Sequence, residues 1–150
     1  MNTLLRQHAF VANESFAPLA LRLVAGIIFV AHGAQKLFGW FGGYGLEGTG
    51  QWMASIGLEP GYFMALMAGS AEFFGGLFLL AGLLTRATGL VLAVTMLVAI
   101  FAVHFENGLF MSNNGYEFAL ALFAVSVSIA VSGAGRLSLD SLVNAKLNKD

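Results

Sequence analysis

The chain has 150 residues, enough for one domain spanning 1–150, and 58% of them are hydrophobic while only 10% are charged; a soluble domain carries about 25% charged residues. With a mean hydropathy of +0.80, water is not its main solvent. A net charge of −1 offers no basic surface for nucleic acid, and the absence of cysteine excludes a disulfide framework, a CxxC redox pair and thiolate metal ligands.

A helix crossing a bilayer needs roughly 20 mostly apolar residues. The first such stretch is 18–38, interrupted by Arg22, His32 and Lys36. It is too long for the apolar region of a secretory signal, and QKLFGWFGG follows it instead of a small-residue cleavage site, so a retained helix is expected. Between 39 and 61 the chain changes character. Six glycines in 39–50 break helix, after which Thr49 is placed to cap a short segment to Ile56 with Trp52, Met53 and Ile56 on one apolar side. With Trp40 and Phe41, that segment is expected to lie in or dip into the membrane interface.

The second stretch, 62–84, holds Glu72 as its only charge, and Leu83-Leu84-Thr85-Arg86 makes a tight hairpin into the third, 87–104. The fourth and shortest, 116–131, opens with Glu117, and the tail after Gly135 reads as an interfacial helix. The expected fold is therefore an all-α membrane protein, an antiparallel bundle of four transmembrane helices with an interfacial or re-entrant segment between the first two. Four spans put both termini and the hairpin on one side, where Arg6, Arg22, Arg86, Arg136, Lys146 and Lys149 collect. The opposite loops hold Glu47, Glu59 and Glu106 but no Lys or Arg. The positive-inside rule then places both termini in the cytoplasm. Arg22, at the inner end, is expected to snorkel to lipid phosphates.

Ionisable groups inside a bilayer are costly and face the bundle interior or a watery cavity. Here they gather in the outer half: His32 and Lys36 on one face of the first span, Glu72 near the middle of the second, His104 and Glu117 at the outer ends of the third and fourth. Lys36 and His104 can also reach the interface unaided, and Glu117 can serve as an N-terminal helix anion. Glu72 cannot reach water, so it is either protonated or paired with a cation, with Lys36 or His32 the natural partner. A haem held by His32 and His104 is disfavoured because their depths differ by about 10 Å. A carboxylate-bridged di-metal centre needs Glu-x-x-His on the bundle helices, a spacing that does not occur.

At these residues the sequence resembles the DoxX family of small bacterial membrane proteins. The likeness rests on Arg22, then Gly26, Phe29, His32, Gly33 and Lys36; on Gly48, Trp52, Met53 and Gly57 in the loop; on the run Glu72, Gly75, Gly76, Leu79, Gly82, Leu83, Thr85, Arg86; and on Asn114, Gly115, Glu117. The resemblance implies a four-helix inner-membrane protein connected with quinone-linked redox assemblies or oxidative-stress membrane complexes, working with a partner subunit. Three functions follow as expectations. One is an accessory or non-catalytic subunit of such a complex, whose polar cluster fixes helix packing in a homo-oligomer or against a partner. Another is a quinone-binding oxidoreductase subunit, with His32 and Glu72 handling protons and Lys36 favouring negative charge on the ring. The last is a solute or proton pathway, which lacks the paired broken helices of secondary transporters.

Overall fold

The computed structural model describes residues 15–147, and these form helices and loops without a strand. Arg6 and Lys149, which the charge argument also used, lie outside the described residues. Among the described residues, three helices are long and apolar enough to cross a bilayer: Ala17–Phe38, Gly61–Ala81 and Thr85–Asn107. We label the main helices α1 (Ala17–Phe38), α2 (Gly45–Ser55), α3 (Gly61–Ala81), α4 (Thr85–Ala99), α5 (Glu117–Ser132) and α6 (Leu139–Leu147). Beyond Ala99, α4 continues through a π-helical turn at Ile100–His104. The apolar α5 has 16 residues, about 24 Å of helix.

Proline at the start of α1 fits a first turn whose N–H groups need no helical partner. The loop helix departs from the sequence expectation. It begins at Gly45, not at Thr49, with Glu47 in its first turn where an anion suits the dipole. Its apolar side also divides: Met53 is buried, whereas Trp52 and Ile56 are exposed.

Two tightly packed helix pairs make the body of the molecule. Glycines bring α1 and α3 together: a Cβ on Gly33 would overlap the backbone nitrogen of Phe73, and one on Gly76 would stand 2.7 Å from that of Val30. Such small-residue contacts are the usual means of close approach where lipid supplies no hydrophobic drive. Across the other pair, a Cβ on Gly89 of α4 would stand 2.8 Å from Ala130 N on α5. A core of Phe29, Leu79, Leu92, Met96, Leu122 and Ile129 joins the pairs. Near the α3–α4 hairpin the helices touch, the Gly75 Cβ position lying 3.1 Å from Leu92. Further from the hairpin α3 and α4 are the facing walls of a cavity.

Arg22 departs from its expected place as well. It does not snorkel but is fully buried, donating to Leu79 O at 2.9 Å and Leu137 O at 3.2 Å. Leu79 O already accepts the Gly82 N–H in the cap of α3, but it keeps a second lone pair and stands at the negative end of the helix dipole, which draws the guanidinium inward. Asp140 of α6 completes this end. Its carboxylate accepts from Leu84 N, Thr85 N and Thr85 Oγ1, while its own N–H donates to Gly82 O at 2.9 Å. It thus caps α4 from a distant part of the chain. It also holds Leu84 at φ 47°, a left-handed conformation that costs a non-glycine residue about 1–2 kcal/mol. Gly82 is itself left-handed at φ 66°, and a side chain there would run into the Arg22 guanidinium.

Substituting Asp140→Ala should strip the hairpin of its cap and Arg22 of a nearby counter-charge. We expect about 3 kcal/mol of lost stability, read by SDS-titrated unfolding in mixed micelles, with α6 becoming protease-sensitive well before the rest. Gly33→Val should cost about 1–3 kcal/mol by forcing α1 from α3, whereas lipid-facing Ala87→Val should be neutral.

Candidate functional site

Between the two helix pairs lies a cavity of about 880 Å³, within the range of small-molecule sites. Four of the five ionisable residues expected to cluster line it: His32, Lys36, Glu72 and His104. Glu117 is not among them. Its Oε1 instead accepts the Met111 N–H at 2.6 Å, folding back to fasten the loop that carries part of the wall.

The centre of the site is an ion pair. Lys36 Nζ donates to Glu72 Oε2 at 2.6 Å, with the lysine side chain 24% and the glutamate side chain 6% exposed. Helical spacing places Lys36 one turn beyond His32, and the glycine seam at Gly33 and Gly69 brings α1 near enough to α3 for the pair to close. A glutamate this deep needs such a partner, since breaking a buried pair leaves an uncompensated charge. Lys36 has two further N–H donors and Glu72 a second oxygen with which a bound molecule could be met.

His104 owes its position to the π-helical turn, a local widening that is frequent at functional sites. Its Nδ1 lies 2.8 Å from Asn114 O. A carbonyl only accepts, so Nδ1 carries a proton, and whenever the ring is neutral Nε2 is its acceptor. Asn107 Nδ2 donates to the same carbonyl at 3.2 Å, steadying the loop that faces α4. His32 is half-buried with its ring 5.8 Å from that of Phe118, which ties α1 to α5.

The sequence reading missed much of the remaining wall. Gln35, Tyr44, Thr49 and Asn114 contribute polar atoms, and Met53, Met64, Met67, Met96 and Met111, every methionine after the first residue, all line the cavity. Position along the helices gave a signal for the methionines, all of which fall toward the end away from the α3–α4 hairpin or in the loops there. Methionine is flexible and polarizable, and it suits walls that must adapt to a ligand.

A protein-family model, DoxX, matches residues 17–105. The chain belongs to the DoxX family. Among relatives, the Bacillus subtilis protein named "Putative oxidoreductase CatD" is 38% identical over 133 residues, 87% of this chain and 91% of that protein. "Inner membrane protein YqjF" of Escherichia coli is 33% identical, covering 89% of this chain and 96% of its own. An uncharacterized protein of Haemophilus influenzae is also 33% identical, over 81% of this chain and 86% of its own. No solved structure matches. The DoxX match takes in α1 to α4, and so His32, Lys36, Glu72 and His104, but stops short of α5 and the Asp140 cap.

Removing one partner of the central pair should cost more than removing both. Lys36→Met should lower stability by about 3 kcal/mol, and adding Glu72→Gln to it should restore most of the loss in the same SDS titration. Equal, additive losses would show that the pair is not coupled.

Proposed function

We propose that this DoxX protein is an accessory subunit of a bacterial inner-membrane redox assembly that holds a quinone ring between Lys36, Glu72 and His104. The observation that carries the reading is a cavity of about 880 Å³, apolar and methionine-rich, with an ion pair at its centre and an imidazole in its wall. A quinone presents two carbonyl acceptors on a flat apolar ring. The free N–H groups of Lys36 suit one of them, and the protonated edge of a reduced ring suits the acceptor nitrogen of His104. Bound there, the quinone would supply the two-electron chemistry that no side chain of this cysteine-free chain provides. The protein would bind and orient the ring, exclude water, and hold a proton at Glu72 or His104. Electrons would come from a partner subunit. The names of the relatives in Bacillus and Escherichia coli, an oxidoreductase and an inner membrane protein, point the same way.

In this reading α1, α3, α4 and the short α5 all cross the bilayer as a single antiparallel bundle. Arg86, Arg136 and Lys146 then face the cytoplasm with both termini, and Glu47, Glu59 and Glu106 the periplasm. Trp40, Phe41 and Tyr44, all well exposed, suit an aromatic belt at the periplasmic surface.

Gently extracted protein examined by native mass spectrometry should carry one quinone per chain. In Lys36→Met the retained quinone should fall at least tenfold, about 1.4 kcal/mol, as expected for loss of a charge-assisted hydrogen bond. Glu117→Gln, outside the cavity, should retain it. Wild-type protein without quinone, yet unfolded by Lys36→Met, would favour a purely structural role for the ion pair.

A further inference from the structure

The walls of the cavity differ in a way that the quinone reading does not use. On the α1 and α5 side they are closed: Phe29 is 1% exposed, and Ala119 and Leu122 are each 7% exposed. On the α3 and α4 side the same cavity is lined by residues that are open to the outside, Met67 at 56%, Leu90 at 61%, Val94 at 53% and Val98 at 51%. Leu90, Val94 and Val98 follow one another at successive turns of α4, a strip about 12 Å long. They lie within a membrane-crossing stretch, so the medium they meet is hydrocarbon. The gap has a structural origin: α3 and α4 touch at Gly75 and Leu92, and most of the lining residues of the two helices, from Glu72 back to Met64 and from Val94 on to His104, lie farther from the hairpin. Small side chains on the α3 side, Ala68 and Ala71, keep the cleft open down to Glu72.

We infer that the ligand enters sideways from the bilayer through the α3–α4 cleft, lodging a hydrocarbon tail against Leu90, Val94 and Val98 while its ring reaches Lys36 and Glu72. This rests on the quinone reading and specifies its substrate class: a lipid-resident, tailed quinone, not a water-borne ring. The cleft's continuity with the polar site argues for this occupant. A helix of a partner or a second copy laid in the cleft would cut the ring site off from lipid.

The two tryptophans allow a direct test. Trp52 lines the cavity, so in a Trp40→Phe background its fluorescence reports quenching by a bound quinone. Decyl-benzoquinone and a tail-less dimethoxybenzoquinone would be titrated into nanodiscs of phosphatidylethanolamine and phosphatidylglycerol, with and without Val94→Phe/Val98→Phe filling the cleft. We expect the paired substitution to weaken the tailed compound at least fivefold and to leave the tail-less one unchanged, which also shows that the fold is intact. Quenching by both compounds, insensitive to the paired substitution, would overturn the cleft but not the ring site. Quenching by neither would overturn both. Efficient disulfide dimers of Val94→Cys, in a chain with no cysteine of its own, would place a second copy in the cleft and overturn the inference.

Discussion

The backbones of α1 and α3 approach so closely that a Cβ at Gly33 or Gly76 would meet the facing backbone, and one at Gly69 the side chain of Leu37. Inside a bilayer, apolar side chains gain nothing by leaving lipid for one another, so association depends on packing and on polar contacts that lipid cannot replace. The seam provides both. It fits the two helices together, and in doing so it sets Lys36 against Glu72 at 2.6 Å. A pair of opposite charges is tolerable at this depth only with that distance held, because desolvation of each ion otherwise outweighs their attraction. The ion pair and the glycines are therefore one device.

From that rigid pair the rest of the architecture follows. The second pair, α4 and α5, is fastened to the first near the hairpin, where Arg22 and Asp140 bind the turn from opposite ends of the chain. At the other end it is held by lighter contacts, the His32–Phe118 ring pair and the loop secured through Glu117 and Asn114. The molecule is tight at its hairpin end and hollow at the other. His32, Lys36, Glu72 and His104 line the hollow half.

The sequence disclosed a large part of this. The helices fall within a few residues of the apolar stretches because the requirement for some 20 apolar residues is strict. That Glu72 would pair with Lys36 or His32 was legible because a carboxylate in an apolar helix has so few options, and the partner is Lys36. What it did not disclose depends on contacts distant in sequence. Asp140 looks like an ordinary first-turn acid of its own helix, and nothing local shows that it caps another helix 55 residues away. Arg22 stands near an apolar boundary in the sequence, the usual place for snorkelling, yet the carbonyls that draw it in belong to α3 and to the C-terminal segment. The early start of α2 reflects packing: at Gly50 a side chain would meet the backbone of Tyr62, so α3 shapes the loop helix that precedes it.

The Asp140 clamp has a consequence for biogenesis. Membrane helices are inserted as they are synthesised, from the N-terminus onward, yet the first backbone amides of α4 find their acceptor in a residue made more than 50 positions later. Until then the turn at Gly82–Leu84 must draw its hydrogen bonds from water at the membrane surface. Only once Asp140 has been made can α6 fold back and replace that water. The C-terminal segment thus acts as the closing step of assembly, and a nascent or truncated chain ending before residue 140 would have its helices in place with the hairpin still unsealed.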